Sequence, residues 1–309
     1  MNETIRYKDP LITIGITNHN AKDTIQRAIL SACNQTWSNL EIIIVDDFSY
    51  DDSVSIIQKQ LLKDSRIKLI INNKNMGYPY SLNTIVNNAK GEFVIFFDDD
   101  DHSDLTRVEQ QYNKLISFYK TSKNSNAVCY SDRKVFVNDQ EDINGYVKAI
   151  GRNSPEPYGT MVADYILWHH KEIGYCWGEF GSCTLMAPIS LLKKFPFDIT
   201  FHRCAEWDFA IQLAFDNVTF LSVDRPLVTQ YKTLTSDKSG NKPLHYTLKI
   251  KKKYKNYLIS KKLYFGAIFL AYSRFYYFRK KHIKSRLFLI FACLISPKIL
   301  SHEISKRLC

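Results

Sequence analysis

The chain has 309 residues, of which 45% are hydrophobic and 24% are charged. These proportions are ordinary for a globular protein, and they exclude a disulfide-stabilised miniprotein, wholesale disorder and a polytopic membrane protein. The net charge of +11 is concentrated at the end of the chain, because residues 249–309 contain 16 Lys and Arg and a single acid, Glu303. That leaves 26 of the 42 bases and 30 of the 31 acids for the other residues. A mildly acidic body with a basic tail is therefore predicted, rather than a nucleic-acid groove along the whole chain.

Seven cysteines are scattered along the chain without a C-x-x-C pair. This pattern supports neither a zinc site nor a disulfide framework, and reduced thiols are expected. The first residues, MNETIRYKDP, lack the apolar segment of a secretory signal peptide. The sequence therefore predicts that the body of the protein is cytoplasmic.

The first hundred residues alternate short apolar runs with segments of helical periodicity, a pattern typical of β-α-β units and a largely parallel sheet. Strands are predicted at residues 11–16, 42–45, 67–71 and 93–97, and helices at residues 25–32, 54–62 and 82–89. The later predictions are a helix at 105–119, a strand at 127–130, a long loop at 138–158, a helix at 206–215, and strands at 218–223 and 227–231. The polar segment 233–243 marks the predicted boundary between a domain at 1–240 and a tail at 241–309.

Polar side chains follow each of the first four predicted strands. They are Thr17 to Asn20, Asp46 and Asp47, Asn72 to Asn75, and Asp98 to Asp101. Open α/β sheets bind ligands beyond the carboxyl ends of their strands, where loops open and helix N-termini present their amides. The sequence therefore predicts one ligand-binding rim at this edge of the sheet.

Asp98 to Asp101 form a run of four acids directly after the apolar strand 93–97. Their mutual repulsion would be offset by a hard divalent cation such as Mg²⁺ or Mn²⁺, which would also bind substrate phosphates. The alternative is that one or two of them cap the helix beginning near Leu105. Turn and capping chemistry is likewise the alternative for Asp46 and Asp47.

Five segments, in this order, resemble the inverting GT-A glycosyltransferases of family 2. They are residues 12–20 (ITIGITNHN), 34–37 (NQTW), 41–51 (EIIIVDDFSYD), 75–77 (NMG) with Asn83, and 89–101 (AKGEFVIFFDDDD). Each segment is weak alone, but their order and spacing are specific. The resemblance continues more loosely to about residue 231, and it implies an α/β fold of the GT-A type: a Rossmann-like, mixed but mostly parallel sheet with flanking helices. The basic helical tail lies outside it.

The resemblance implies a nucleotide-sugar site. Asp47 would read the nucleotide base with Asp46 beside it, and Thr17 and His19 would line the base pocket. The family commonly has an aromatic residue where His19 stands, and it often has an Arg where Leu82 stands. The full expected set is Thr17, His19, Asp46, Asp47, Asn75, Gly77, Asn83, Asp98 and Asp99.

The same resemblance implies a divalent metal, Mn²⁺ or Mg²⁺, bound at the acidic run. Asp98 would face the ribose and the waters of the metal, and Asp100 or Asp101 would bind the metal itself. The sequence leaves open which of the last two is the direct ligand.

Residues 205–210 (AEWDFA) are similar to the family's acidic motif at the start of a late helix. This makes Glu206 the candidate catalytic base and Asp208 the second candidate, although the helix dipole alone also favours acids there. Trp177 and Gly178 fall in the region that commonly shapes the acceptor site. The alternative for Trp177 is a place in the core.

The implied reaction moves a sugar from a nucleoside-diphosphate sugar to a saccharide hydroxyl, with inversion at the anomeric carbon. UDP is the nucleotide favoured by resemblance. Two other classes compete: a Mg-dependent phosphate-processing enzyme and a non-enzymatic membrane-surface adaptor. The first would need a nucleophilic Asp or a Gly-Lys-Ser loop, for which the sequence offers no match, and the intact acids disfavour the second.

Apolar and basic residues alternate in the tail, 241–309. Its longest apolar stretches have about 16 and 11 residues, fewer than the roughly 20 needed to span a bilayer. Tyr, Phe and Leu interleaved with Lys and Arg predict helices lying in the headgroup region of an anionic membrane. The alternatives are a helical pair packed on the body and a nucleic-acid-binding tail, which the acidic body disfavours. The membrane interpretation implies a peripheral enzyme at the inner face of the cell membrane, acting on a lipid-linked saccharide in capsule, O-antigen or lipooligosaccharide assembly.

Overall fold

A computed structural model describes residues 9–122, 126–137, 143–232 and 241–301. Contacts divide the chain into two compact units. Unit 1 comprises residues 1–159 and 174–234, and unit 2 comprises residues 160–173 and 235–309. The predicted boundary at residue 240 lies outside the described residues.

Unit 1 is built on a sheet of nine described strands in the order β3-β2-β1-β4-β8-β6-β9-β5, with β7 paired to β6. The strands are β1 (Ile12–Asn18), β2 (Leu40–Asp46), β3 (Ile67–Ile71), β4 (Phe93–Asp98), β5 (His102–Ser103), β6 (Ala127–Val137), β7 (Ile143–Val147), β8 (Met186–Pro188) and β9 (Thr219–Lys232). Neighbours among β1 to β4 are parallel, as are β6 and β9, whereas β8 is antiparallel to both β4 and β6. The mixed, mostly parallel sheet expected from the sequence is confirmed.

The described residues also form eleven α-helices. They are α1 (Ile25–Cys33), α2 (Ser53–Leu61), α3 (Tyr78–Asn88), α4 (Arg107–Thr121), α5 (Thr160–Trp168), α6 (Ile189–Lys194), α7 (Ala205–Phe215), α8 (Lys242–Lys253), α9 (Lys255–Ser260), α10 (Tyr264–Phe278) and α11 (His282–Ile295). A short 3-10 helix spans Ser182–Thr184.

The core of unit 1 lies against both faces of the central strands. Every residue of β1 is buried, and so are the first five residues of β4. Ile25 and Ile29 of α1 pack into this core, because the apolar residues of that helix recur on one face. On α3, Ile85 approaches β1 so closely that a Cβ on Gly15 would lie 2.4 Å from its Cγ2. The buried strands therefore hold their polar carboxyl ends in fixed register.

Two predictions from the later sequence are wrong. The two strands predicted within residues 218–231 are one strand, β9, because its pairing with β6 shifts register around Asp132 and accommodates Pro226 at the irregularity. The polar segment 138–158 is not loop throughout, since residues 143–147 pair with β6 as β7. Helix α5 was not predicted.

Unit 2 contains α5 and α8 to α11. Its buried side chains include Ile250, Leu258, Leu263, Ala267 and Leu270. Asp164 of α5 accepts hydrogen bonds from the Tyr257 hydroxyl (2.8 Å) and from Lys261 Nζ (2.5 Å). No helix within the described part of the chain has both the length and the apolar character needed to cross a membrane.

Candidate functional site

The carboxyl ends of β1, β2 and β4 meet at one edge of the sheet. In the strand register Thr17 stands opposite Asp98, and Asn18 stands opposite Asp46. A cavity of about 390 Å³ opens there. Its lining residues are Thr17, Asn18, His19, Asp47, Asn75, Gly77, Tyr78, Ser81, Asp98, Asp99 and Asp100. Most of the residues expected at the nucleotide sugar are thus brought together.

Asp47 holds the segment 72–77 that forms one wall of the cavity. Its Oδ1 accepts hydrogen bonds from Asn72 Nδ2 and from the backbone N–H of Met76, both at 2.8 Å, and its Oδ2 accepts one from Gly77 N–H at 2.7 Å. Gly77 has φ 87°, a left-handed conformation that favours glycine. The carboxylate therefore shapes the wall of the cavity as well as lining it.

His19 presents an exposed ring at the mouth of the cavity. Its Nδ1 lies 2.9 Å from the Asp47 carbonyl oxygen, and its Nε2 lies 3.2 Å from Asn75 Nδ2. A carbonyl can only accept and an amide NH₂ can only donate, so the neutral tautomer with the proton on Nδ1 satisfies both contacts. The ring is oriented by these bonds, and it is accessible to a stacking partner.

Three residues considered from the sequence lie in the walls rather than on the surface of the cavity. Asp46 is fully buried and accepts hydrogen bonds from Asn18 Nδ2 and from Ser49 Oγ. The Asn83 side chain both donates to and accepts from the backbone of Phe197. Leu82 is buried, so nothing at that position performs the contact of the family's Arg.

The run of four aspartates divides between two surroundings. Asp99 and Asp100 line the cavity, and Asp99 Oδ2 accepts a hydrogen bond from His19 N–H at 2.9 Å. Asp98 and Asp101 come together with Cys183, with one ligand atom from each of the three within 4.8 Å of the others. Asp101 is 4% exposed, and its Oδ2 is buried without a hydrogen-bond partner.

These carboxyl groups fit a hard divalent cation. Burial, aided by the charge of Asp100, raises the pKa of Asp98 to about 7, and burial raises the pKa of Asp101 well above its usual range. A cation would favour the ionised forms and would bind the unpartnered Asp101 oxygen. The Cys183 thiol does not fit, because burial raises its pKa and such cations prefer oxygen ligands.

A buried arginine, Arg107, lies near the aspartates. Arg107, at the start of α4, is fully buried and donates to Phe96 O, Ser103 Oγ and Gln111 Oε1, each at 2.9 Å. Burial lowers its pKa to about 10, and nearby acidic groups that include Asp98 oppose the shift. Arg107 therefore stays charged at neutral pH and offsets part of the repulsion among the acids.

Glu206 lies in the first turn of α7 and is connected to Asp98 by three polar contacts through two hydroxyls. Ser182 Oγ donates to Glu206 Oε1 at 3.2 Å, and it lies 2.7 Å from the Tyr78 hydroxyl. That hydroxyl lies 3.0 Å from Asp98 Oδ1. Its single proton goes either to Asp98 or to Ser182, so with Ser182 donating to Glu206 all three contacts are hydrogen bonds only when Asp98 is protonated. Burial raises the pKa of Glu206, while the Ser182 hydrogen bond lowers it. The net rise makes Glu206 a stronger base than an exposed glutamate.

Asp208, Gly178 and Trp177 do not line the cavity. Asp208 is fully buried and accepts a hydrogen bond from Gln212 Nε2 at 2.8 Å. A Cβ on Gly178 would lie 2.3 Å from the carbonyl carbon of Ala149, so glycine is required there by backbone packing. Trp177 is partly buried, with its ring 6.3 Å from that of Tyr175.

The sequence of the first half of the chain matches a known family. The model described as Glycosyl transferase family 2 matches residues 13–154. Residues 13–154 are therefore similar to this family. The chain is 42% identical over 153 residues to the Escherichia coli UDP-Glc:alpha-D-GlcNAc-diphosphoundecaprenol beta-1,3-glucosyltransferase WfaP. It is 39% identical over 93 residues to the Campylobacter jejuni GalNAc(5)-diNAcBac-PP-undecaprenol beta-1,3-glucosyltransferase.

These alignments span only part of each protein. The first covers 49% of this chain and 55% of the relative, and the second covers 30% of each. The chain therefore spans about half the length of the first relative and 30% of the length of the second.

Solved structures of glycosyltransferases share the fold. Residues 1–349 of Staphylococcus aureus TarS, in complex with UDP-GlcNAc, align with a TM-score of 0.64 and 16% identity, over 93% of this chain and 82% of that one. The mannosyltransferase PcManGT from Pyrobaculum calidifontis, in complex with GDP-Man and Mn²⁺, aligns with a TM-score of 0.56 and 13% identity, over 98% and 82%. The fold is GT-A, as the sequence predicted for the family 2 domain.

Tyr78 received no role from the sequence, and Ser182 was placed only in the region before α7 that commonly shapes the acceptor site. Tyr78 directly follows the family 2 segment 75–77, and Ser182 lies among glycines before α7, but neither segment indicates that the two side chains meet. Arg107 was missed as well. The only sequence signal for it is a base at a helix start, where an acid would be favoured.

Proposed function

We propose that the chain is a metal-dependent inverting glycosyltransferase that moves a sugar from a nucleoside-diphosphate sugar to a saccharide hydroxyl. The observation that supports this best is the connection through two hydroxyls between Asp98, at the end of β4, and Glu206, at the start of α7. It sets a carboxylate suited to proton transfer beside a cavity suited to a diphosphate. The similarity of residues 13–154 to family 2 supports the same reaction class.

The donor occupies the cavity at the strand ends. Thr17, His19 and Asn75 lie on the side of the base, with the exposed His19 ring stacking on it. We propose UDP as the nucleotide, because the Escherichia coli relative is named for UDP-Glc and TarS was solved with UDP-GlcNAc. The fold alone does not select the base, since the mannosyltransferase was solved with GDP-Man.

Asp98, with Asp101 or Asp100, holds a divalent cation, Mn²⁺ or Mg²⁺. Asp101 has the unpartnered buried oxygen, and Asp100 lines the cavity. When bound, such a cation acts as a Lewis acid that stabilises the charge developing on the departing diphosphate.

Glu206 acts as the general base. The acceptor oxygen forms a bond to the anomeric carbon while the bond from that carbon to the diphosphate oxygen breaks, and the hydroxyl proton passes to Glu206. The sugar inverts its configuration because attack and departure take place on opposite faces. Asp208 is fully buried, which supports Glu206 rather than Asp208 in this role. Trp177 and Gly178 belong to the acceptor side of the domain.

The acceptor is a saccharide carried on a lipid diphosphate at the inner face of the cell membrane. Both bacterial relatives described above are named for undecaprenol-linked acceptors, which supports a place in surface polysaccharide assembly. Unit 1 forms the transferase domain, and residues 241–309 of unit 2 associate with the membrane surface through their bases. In this arrangement the enzyme is cytoplasmic and peripheral.

A screen of nucleotide sugars tests the proposed function. The full-length protein is incubated with Mn²⁺, a lipid-linked or synthetic saccharide acceptor, and each donor in turn, and the released nucleoside diphosphate is measured. Release that requires both acceptor and Mn²⁺ is expected. Equal release without acceptor would instead indicate a phosphate-processing enzyme, and metal-dependent nucleotide binding without any turnover would indicate an adaptor.

A further inference from the structure

One face of α11 exposes large apolar side chains that a folded protein normally buries. Ile283, Leu287, Ile290 and Leu294 recur at helical spacing and are 79%, 51%, 55% and 73% exposed. The opposite face packs on α10, where the Phe288 ring stacks on Tyr272 and Tyr276 at centroid distances of 5.1 and 5.4 Å. Helix α11 is therefore already packed through one face, and the exposed row is a second apolar face that the fold does not use.

Exposed bases lie at the N-terminal end of this row and beside it. Arg279, Lys280, Lys281, Lys284 and Arg286 are all exposed in and around the turn from α10 to α11. The sequence from 241 to 301 contains no Asp or Glu. A second copy of the chain on this face would bring bases against bases, whereas an anionic surface complements them. Helix α11 has 14 residues, which make a rod of about 21 Å, shorter than the roughly 30 Å hydrocarbon core of a bilayer.

We propose that the face formed by Ile283, Leu287, Ile290 and Leu294 is the surface by which the protein docks on an anionic bilayer. The helix lies in the plane of the headgroups, with this row in the acyl boundary and the bases among the phosphates. The proposal deepens the membrane association proposed above by naming the surface that makes it.

Sedimentation of the full-length protein with vesicles tests this face. Vesicles of phosphatidylglycerol and phosphatidylcholine are compared with phosphatidylcholine alone, at low and high salt. The double variant Leu287→Asn, Leu294→Asn changes no charge, and it is expected to lower binding to the anionic vesicles by roughly tenfold or more and to abolish the salt-resistant part. The matched control is Leu30→Asn, Leu62→Asn, two leucines of unit 1 that are 44% and 86% exposed.

Wild-type binding by the double variant, or an equal loss in the control, would overturn the assignment. So would a wild-type dimer in light scattering that the double variant converts to a monomer, because the row would then be an interface between copies. Transfer to a soluble acceptor is measured in parallel. If the double variant still transfers sugar but no longer binds vesicles, the docking face is separate from the transferase function. If the wild-type protein binds vesicles but transfers no sugar, the proposed function fails while the docking face stands.

A second inference rests on the chain of polar contacts in unit 1. Tyr78 and Ser182 stand between Asp98 and Glu206, with successive distances of 3.0, 2.7 and 3.2 Å. Ser182 is 3% exposed, so its hydroxyl has protein partners rather than bulk water. Neither residue supplies a charge. Their hydroxyls fix where the two carboxylates lie relative to one another.

We infer that Tyr78 and Ser182 are positioning residues that set Glu206 against the donor held at Asp98. The inference rests on Glu206 being the base of the proposed function. The Glu206 carboxylate is held by Ser182, whose hydroxyl is in turn contacted by Tyr78. The loss of either hydroxyl should therefore affect turnover more than donor binding.

The test compares Ser182→Ala and Tyr78→Phe with two controls that make the same chemical changes, Ser190→Ala on the exposed surface of α6 and Tyr80→Phe on α3. Each site variant is expected to lower kcat by roughly tenfold with a smaller change in donor KM, and the controls are expected to match wild type. Ser182→Ala should also shift the acidic limb of the kcat/KM profile to higher pH, since the serine hydrogen bond lowers the pKa of Glu206. A merely structural role would leave that limb in place.

A double-mutant cycle with Glu206→Gln separates the possible failures. If Ser182 acts through Glu206, adding Ser182→Ala to Glu206→Gln costs no further rate. Additive losses would overturn the positioning role while leaving the base assignment intact. Full activity of Glu206→Gln alone would overturn the assignment of Glu206 as the base, and with it the positioning role of Tyr78 and Ser182.

Discussion

Asp47→Asn tests how the donor cavity is held open. The wild-type carboxylate accepts three hydrogen bonds from segment 72–77. The asparagine amide can take two orientations. In the better one its oxygen still accepts the hydrogen bonds from Asn72 and Met76, but its nitrogen then faces the N–H of Gly77. One hydrogen bond to a charged group, worth about 1.5–3 kcal/mol, is lost, and a partly buried donor is left unpaired. The expected loss is about 2–4 kcal/mol out of a total stability on the order of 5–15 kcal/mol.

Urea unfolding of the variant gives the change in stability, and titration with UDP in the presence of Mn²⁺ gives the change in nucleotide affinity. Both are expected to fall together, because the wall that binds the nucleotide is the wall that the carboxylate holds. Asp52→Asn is the control, since this residue is exposed and makes no capping bond to α2. Unchanged stability with lost affinity would refute this reasoning, and it would assign Asp47 to reading the base alone.

Three further predictions concern the chemistry of the site. Asp98→Asn combined with Asp101→Asn should abolish the enhancement of nucleotide affinity by Mn²⁺ in calorimetric titration without unfolding the protein, whereas an unchanged enhancement would place the metal elsewhere. The kcat/KM for transfer should fall as pH drops through a midpoint above 4.5, because burial raises the pKa of Glu206 from that value and only the ionised carboxylate accepts a proton; a midpoint below 4.5 would contradict the assignment. Transfer from an α-linked nucleotide sugar should give a β-linked product by NMR, and an α-linked product would exclude direct displacement.

The sequence predicted the first half of the fold well because each element there satisfies a local rule. The apolar run 93–97 has the length and composition of a buried strand, and the acids begin where that strand ends. Later elements break such rules. Strand β9 contains Asp224, Arg225 and Pro226, which imitate a turn, and only its pairing with β6 shows that the strand continues. Strand β7 is short and contains Asn144 and Gly145, so its partner rather than its composition defines it.

The site shows the same division between local pattern and tertiary contact. The acidic run and the acids of α7 can be recognised in the sequence, because clustered carboxylates repel one another and such clusters usually have a function. The contact between the Tyr78 and Ser182 hydroxyls joins residues 104 positions apart, and no periodicity reports it. Resemblance also implied nucleotide contacts for Asp46 and Asn83, whose side chains are engaged by Asn18, Ser49 and Phe197 in the walls of the cavity. Position in a motif thus indicates where a site lies, and the contacts of each residue indicate its role there.

The rate of sugar transfer by Glu206→Gln, at saturating donor and Mn²⁺, tests the central claim most directly. The amide keeps the shape of the side chain and can still accept the Ser182 hydrogen bond, but it cannot take the acceptor proton. Donor affinity should stay within a few-fold of wild type, while transfer falls by about 10² to 10⁴. Transfer at the wild-type rate would contradict the claim that a carboxylate at the start of α7 is the base.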